Sequence, residues 1–169
     1  MVNTLVIDYS RCHGCGECEL ACATISKMNK GSSRPRIMSF IWDVEGWGIP
    51  IACQHCQDAP CRAVCPTGAI YRDEEFNRVM VNYKRCIGCR MCMAVCPFGA
   101  MDFDREVNRV IKCDLCDGDP LCVKLCSYEA LQYIDVKEQS IPKKTEVAEK
   151  IREILLGRKT GSKAGLIQE

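Results

Sequence analysis

Sixteen of the 169 residues are cysteine, and they fall into four groups of four. The first is Cys12-x2-Cys15-x2-Cys18-x3-Cys22, and the second is Cys53-x2-Cys56-x4-Cys61-x3-Cys65, followed by Pro66. The third is Cys86-x2-Cys89-x2-Cys92-x3-Cys96, followed by Pro97, and the fourth is Cys113-x2-Cys116-x5-Cys122-x3-Cys126. Thiols at this density serve disulfides, zinc or iron–sulfur clusters. A disulfide scaffold belongs to secreted chains and rarely crowds four cysteines into the eleven residues from Cys12 to Cys22. Zinc uses separated Cys pairs, and three Cys in x2-x2 register followed by x3-Cys exceed what a tetrahedral knuckle needs. A thioredoxin-like Cys-x2-Cys would occur once, not in every group. Radical-generating enzymes order their cysteines x3 then x2, which no group here does. A cubane cluster needs four thiolates at the corners of a cube a few ångströms wide. Cys-x2-Cys-x2-Cys can wrap one face of that cube, while the Cys after x3 is carried away and serves from elsewhere. The spacing therefore points to [4Fe–4S] clusters.

The elements that must position these thiols are short. Residues 18–22, 61–65, 92–96 and 122–126 each place a Cys at both ends of one helical turn, which predicts four short helices, two of them stopped by Pro66 and Pro97. An internal repeat surrounds them: Cys65-Pro66-Thr67-Gly68-Ala69-Ile70 matches Cys96-Pro97-Phe98-Gly99-Ala100-Met101, and Cys126-Ser127-Tyr128-Glu129-Ala130-Leu131 is a degenerate third copy. After the first two copies, Phe76-Asn77-Arg78-Val79-Met80-Val81 and Val107-Asn108-Arg109-Val110-Ile111 read as short β-hairpins leading into the next Cys group. Gly14 and Gly88, inside the first Cys-x2-Cys of their groups, suit tight turns and let N–H groups approach sulfur. The one long insertion, residues 23–52, carries a flexible Lys30-Gly31-Ser32-Ser33 stretch and an extended run from Arg36 to Val44. Thr145 is placed to cap a helix from Glu146 to Leu156, with Val147, Ile151, Ile154 and Leu155 on one stripe and Gly157 ending it, followed by a tail.

Composition narrows the function. Aromatics make up only 7% of the chain, so the apolar core is thin and metal must help hold the fold. The formal charge of +1 is deceptive, because a four-thiolate cluster carries about −2 and four of them would bring the chain to about −7. An acidic particle of this kind does not suit nucleic-acid binding. The first residues carry no basic and apolar leader pattern, and no apolar run approaches the roughly 18–20 residues of a bilayer span, so a cytoplasmic location is expected. No Ser–His–Asp, paired-carboxylate or Gly-rich phosphate motif stands out, and no catalytic residue is assigned. His13 and His55 read as loop residues and Trp42 and Trp47 as packing residues. Arg11, Arg62, Lys84, Arg85, Arg90 and Lys112 flank cysteines and read as solvated side chains, although positive charge there would raise a cluster's potential.

The third Cys group resembles the run of bacterial two-cluster ferredoxins, in which the fourth Cys ligates the other cluster. More broadly, the four groups, the segment Ala52-Cys53-Gln54-His55-Cys56 with Ala59-Pro60-Cys61, and the Cys-Pro-x-Gly-Ala repeats resemble the four-cluster ferredoxin-like subunit family over roughly residues 3–136. That superfamily includes the iron–sulfur subunits of dimethyl sulfoxide reductase and formate dehydrogenase. It also includes small partners of carbon monoxide dehydrogenase, formate hydrogenlyase and tungsten aldehyde oxidoreductases. The resemblance implies an α+β fold of two interlocked ferredoxin-like modules, with short helices and β-hairpins plus a C-terminal helix. It places a four-cluster domain at 1–136, with one module from 50–112, a second from 1–22 with 113–136, an insertion at 23–49, and a docking helix and tail at 137–169. It further implies four [4Fe–4S] clusters in a line. Their ligand sets would be Cys53, Cys56, Cys61 and Cys96; Cys86, Cys89, Cys92 and Cys65; Cys12, Cys15, Cys18 and Cys126; and Cys113, Cys116, Cys122 and Cys22. Groups one and four lack the trailing Pro, and the long insertions and membrane anchor of larger members are missing, which points to the compact branch.

The expected function is a non-catalytic electron-transfer subunit, relaying electrons between a catalytic oxidoreductase subunit and another redox subunit or acceptor. A tungsten or molybdenum pterin enzyme of the aldehyde oxidoreductase kind is the favoured partner, with a flavin or ferredoxin protein as a further one. Carbon monoxide dehydrogenase and hydrogenase are the competing partners. A free-standing polyferredoxin, and a zinc interaction module without redox role, are the alternatives.

Overall fold

The computed structural model describes residues 3–42 and 47–135, together with the helical position of Arg152. The side chains of Trp42 and Trp47, the end of the extended run at Val44, and the C-terminal helix expected over Glu146 to Leu156 lie outside the described residues.

Among the described residues the strands form four two-stranded antiparallel sheets. Strand β1 (Asn3–Ile7) pairs with β8 (Leu131–Asp135), joining the two ends of the described chain, with Leu5 opposite Tyr133. The insertion supplies β2 (Ile37–Trp42) and β3 (Trp47–Ala52), with Phe40 opposite Ile49. The two repeat hairpins are β4 (Ile70–Asp73) with β5 (Arg78–Val81), and β6 (Met101–Asp104) with β7 (Arg109–Lys112). Asn77 and Asn108 turn these hairpins in the left-handed region, at φ of 46° and 49°; Asn tolerates that conformation better than most residues.

The helices differ from expectation in two ways. Helix α1 (Glu17–Lys30) runs far past Cys22, because Ala21, Ala23, Lys27 and Met28 favour helix and nothing interrupts them before Gly31 closes it at φ 68°. Helices α2 (Pro60–Ala63), α3 (Met91–Ala94) and α4 (Leu121–Lys124) are single turns. Each ends two residues after its first Cys whether Pro66, Pro97 or Ser127 follows the second, so proline is not what stops them. A following turn does: the N–H groups of Gly68, Gly99 and Glu129 donate to the carbonyls of Cys65, Cys96 and Cys126, each from a left-handed residue.

Two apolar cores result. One joins Ile70, Val79, Val81, Met101, Phe103 and Val110 with Cys92, and Cys56, Cys61, Cys65, Cys86 and Cys96 pack against it. The other joins Leu5, Ile37, Ala52, Leu115 and Leu131 with Cys18 and Cys122, and Cys22, Cys113 and Cys126 pack against it. Cysteines thus form much of both cores, as the scarcity of aromatics requires. The Lys30-Gly31-Ser32-Ser33 stretch, expected to be flexible, carries a fully buried Ser32 whose hydroxyl donates to the Asp104 carboxylate. Asp104 in turn accepts from the N–H of Glu106 at 2.8 Å, so the insertion is fastened to the β6–β7 turn.

Candidate metal centres

None of the sixteen cysteines is paired in a disulfide. Twelve of them line three cavities, four to each, and every set draws on two separated stretches of polypeptide. Cys12, Cys15 and Cys18 share a cavity with Cys126. Cys53, Cys56 and Cys61 share one with Cys96. Cys113, Cys116 and Cys122 share one with Cys22. Of the remaining four, Cys92 is buried in the first core, Cys65 and Cys86 pack half-buried against it, and Cys89 is exposed. Cys86 and Cys89 lie close enough to Cys92 to act on it electrostatically.

Local structure aims the sulfurs. The single-turn helices present Cys61, Cys92 and Cys122 to the two cores, and the turns after α3 and α4 bring Cys96 and Cys126 to the loops of other groups. Pro60 starts α2 at a position where its missing N–H costs nothing. The Cys12 loop is roofed by β3, where the N–H of Gly48 donates to the carbonyl of Cys12 at 3.1 Å. Beside that loop the rings of His13 and Tyr128 meet at a 43° tilt, centroids 4.5 Å apart, and Arg11 pairs with Glu129 at 3.0 Å.

Backbone donors reach several sulfurs. The N–H of Ala69 donates to Cys65 Sγ at 3.2 Å, that of Arg36 to Cys22 Sγ at 3.1 Å, and that of Leu115 to Cys113 Sγ at 3.5 Å. Burial pushes the Cys18 thiol up to about 12, helped by Glu19, and pushes Cys92 and Cys113 up to about 11. Burial raises Cys61 and Cys122 as well. Burial also acts to raise Cys65, but N–H groups of Ile70, Ala69 and Thr67 and the Thr67 hydroxyl outweigh it, and that thiol is lowered. Walls that disfavour a bare thiolate suit sulfur bound to a cation.

The donor sets fit iron–sulfur clusters. Each cavity offers four soft sulfurs around a mainly apolar space, and N–H groups point at the sulfurs of Cys22, Cys65 and Cys113. The thiols stand around the cavities rather than at one point: among the described residues, no three His, Cys, Asp or Glu side chains are gathered to hold a single ion.

Two basic side chains depart from the sequence reading. Arg11, Arg62, Lys84, Arg85 and Arg90 are exposed as expected, but Lys112 is only 4% exposed. Its Nζ donates to the carbonyls of Val79 and Cys113, so it is a buried cation and not a solvated one. Arg78, which sequence reasoning treated only as a hairpin residue, is buried too. It donates to Asp73 at 2.8 Å, to Asp117 at 2.8 Å and to the carbonyl of Asp114 at 2.6 Å. His55 is more than a loop residue: its Nδ1 accepts from the N–H of Val79 at 3.0 Å, and burial beside Lys112 and Arg78 holds its pKa down at about 2. The signal available for Lys112 was its place at the inward end of β7, where alternation already buries Val110.

Comparison with known proteins agrees with this chemistry. A 4Fe-4S dicluster domain matches residues 44–136, and a 4Fe-4S binding domain matches residues 5–22. The Escherichia coli (strain K12) protein YsaA, named provisionally as an electron transport protein, is 40% identical over 148 residues, which cover 82% of this chain and 93% of YsaA. The thiosulfate reductase electron transfer subunit PhsB of Salmonella typhi is 33% identical over 147 residues, covering 79% of this chain and 76% of that one. The B subunit of the anaerobic dimethyl sulfoxide reductase of Escherichia coli (strain K12) is 35% identical over 150 residues, covering 78% and 73%. Among the described residues no helix is long and apolar enough to cross a membrane. With its 4Fe-4S domains and relatives named for electron transfer, the protein belongs to the 4Fe-4S ferredoxin-like family of electron-transfer subunits and binds multiple 4Fe-4S clusters.

Proposed function

We propose that this chain carries four [4Fe–4S] clusters in a row and relays electrons through them within an oxidoreductase complex. The ligand sets are Cys65, Cys86, Cys89 and Cys92; Cys53, Cys56, Cys61 and Cys96; Cys22, Cys113, Cys116 and Cys122; and Cys12, Cys15, Cys18 and Cys126. The observation that carries this reading is the three cavities lined by four cysteines each, with one Cys arriving from a distant group. Electrostatic neighbours support that order: Cys61 acts on Cys92, Cys53 on Cys113 and Cys18 on Cys122, as four sets standing end to end in the sequence just given require. The two apolar cores support a division into two interlocked modules, residues 50–112 and residues 1–22 with 113–136.

A bound [4Fe–4S] cluster supplies a one-electron redox couple. The chain's own residues do the rest. Thiolates hold each cluster, the N–H groups of Ala69, Arg36 and Leu115 offset negative charge on sulfur, and the apolar walls exclude water. No described side chain is arranged to transform a substrate, and chemistry belongs to a catalytic partner. The resemblance to the small partners of tungsten aldehyde oxidoreductases supports a tungsten or molybdenum pterin enzyme in that role, with a flavin or ferredoxin protein as acceptor in the cytoplasm.

Single-ligand serine variants of the anaerobically purified protein test the ligand sets. Wild type should hold about sixteen irons. Cys96→Ser should alter the same paramagnetic signal as Cys53→Ser and leave that of Cys89→Ser alone; a signal shared by Cys96→Ser and Cys89→Ser would overturn the exchange. Metal analysis of the native complex tests the partner. Tungsten or molybdenum is expected, whereas nickel, or elution of the protein by itself near its own 19.0 kDa, would refute it.

A further inference from the structure

Between the two inner ligand sets runs a short bridge of backbone. His55, in the Cys53–Cys56 loop, accepts from the N–H of Val79 at 3.0 Å. The carbonyl of Val79 accepts from Lys112 Nζ, and the same ammonium donates to the carbonyl of Cys113 at 2.6 Å. Val79 itself lines the cavity of Cys53, Cys56, Cys61 and Cys96. Lys112 therefore stands at the junction of the modules, one residue before a ligand of one inner cluster and one hydrogen bond from the wall of the other.

We propose that the Lys112 ammonium is a charge shared by the two inner clusters, raising both reduction potentials and so making the middle of the row the preferred seat of an electron. The carbonyls of Val79 and Cys113 that accept from it are neutral and satisfy its protons without cancelling its charge, while Asp114 and Asp117 line the cavity beside it. A buried positive charge acts through a medium of low dielectric and favours the more negative, reduced cluster. Arg78 is the informative contrast. It too is buried at the junction, but Asp73 and Asp117 neutralise it, so its role is to fasten rather than to polarise. Lys112 is a positioning residue for electrons: it touches no reacting atom and works through the clusters beside it.

The inference rests on the ligand sets proposed above, and the serine variants and iron content test those separately. With signals assigned that way, a redox titration of the anaerobic wild-type protein followed by electron paramagnetic resonance should show the two inner clusters reduced before the two outer ones. An inner pair reduced last would overturn the inference without any variant. Lys112→Gln keeps a donor but loses the charge, and Lys112→Arg keeps the charge. In Lys112→Gln both inner potentials should fall towards the outer pair, the outer two should stay, and Lys112→Arg should restore the inner pair. Unmoved inner potentials at full iron content, or four potentials falling alike, would refute the shared charge. If Lys112→Gln loses iron, the wild-type order and the Lys112→Arg titration still decide.

Discussion

Gly48 of β3 lies directly over Gly14 in the first Cys loop, so closely that a Cβ on Gly48 would sit 2.4 Å from both the Cα and the N of Gly14 and 3.0 Å from Cys12 Sγ. Backbone cannot yield to such a contact as a flexible side chain can. The two glycines therefore allow the insertion hairpin to close over one ligand set, and the hydrogen bond from Gly48 to Cys12 locks it there.

Gly48→Ala is accordingly expected to lift the hairpin and release the cluster we propose at Cys12, Cys15, Cys18 and Cys126, at a loss of about four irons per polypeptide. Gly31→Ala is the control. Gly31 has a left-handed backbone but open space around its Cα, so it should cost only about 1 kcal/mol and keep the iron. Iron and sulfide analysis of both variants checks the pair; equal iron loss in the two would mean that the roof is not what protects this set.

Much of this site was legible in the sequence. The Cys-x2-Cys-x2-Cys register pointed to clusters, and the family resemblance implied the distant return of the fourth Cys of each group, which the cavities show for Cys22, Cys96 and Cys126. The Asn77 and Asn108 turns were legible because Asn tolerates left-handed backbone. What stayed hidden depends on residues far apart in sequence. Nothing near Ser32 tells that Asp104 waits for its hydroxyl, and nothing near Gly48 tells that Gly14 lies beneath it. Lys112 was misread because a lysine beside a Cys group is ordinarily solvated; only β5 brings the Val79 carbonyl to join that of Cys113, next in sequence, where the ammonium can be buried. Helix α1 was cut short because the repeat suggested a single turn, while the helix-forming residues after Cys22 carry it on to Gly31.

Arg78 ties the β4–β5 hairpin to the fourth Cys group. Its guanidinium lies 4.7 Å from the Phe76 ring centroid, and that ring packs on Gly118, where a Cβ would come within 2.5 Å. Arg78→Met leaves the Asp114 carbonyl without its donor and should cost about 1.5–3 kcal/mol, as for hydrogen bonds to charged groups. Asp117→Asn removes an ion pair whose carboxylate is 71% exposed and should cost under about 1 kcal/mol. The urea midpoint for loss of visible absorbance orders them. Equal effects would show that the surface ion pair, not the buried carbonyl bond, joins the two segments.

Asp104 makes the fastening of the insertion sensitive to acid. The Ser32 hydroxyl, with the N–H groups of Glu106 and Val107, holds this carboxyl below the usual carboxylate range. A lowered native pKa means that the ionised form is the one the fold favours. The stabilisation is complete above the unfolded value of about 4 and fades as pH falls through that value towards the native one. Wild type should therefore withstand more urea than Asp104→Asn at pH 7 and pH 5, and the gap should narrow at pH 3.5. A gap that is constant across the three conditions would mean that shape and not charge fastens the turn.

Thr67 offers the gentlest probe of ligand exchange. Its hydroxyl lies 3.7 Å from Cys65 Sγ, beside the N–H of Ala69, and both help lower that thiol. Thr67→Val keeps the shape and removes the hydroxyl. A hydrogen bond to sulfur worth about 0.5–1 kcal/mol corresponds to about 20–40 mV for one electron, and losing it should make the affected potential more negative by that amount. Thr67 follows the Cys53–Cys61 loop in sequence, yet Cys65 is assigned to the cluster of Cys86, Cys89 and Cys92. The shift should therefore appear in the signal that Cys89→Ser alters and not in the one that Cys53→Ser alters. The opposite assignment would mean that Cys65 binds within its own group, and the interlocking of the two halves of the repeat would be lost with it.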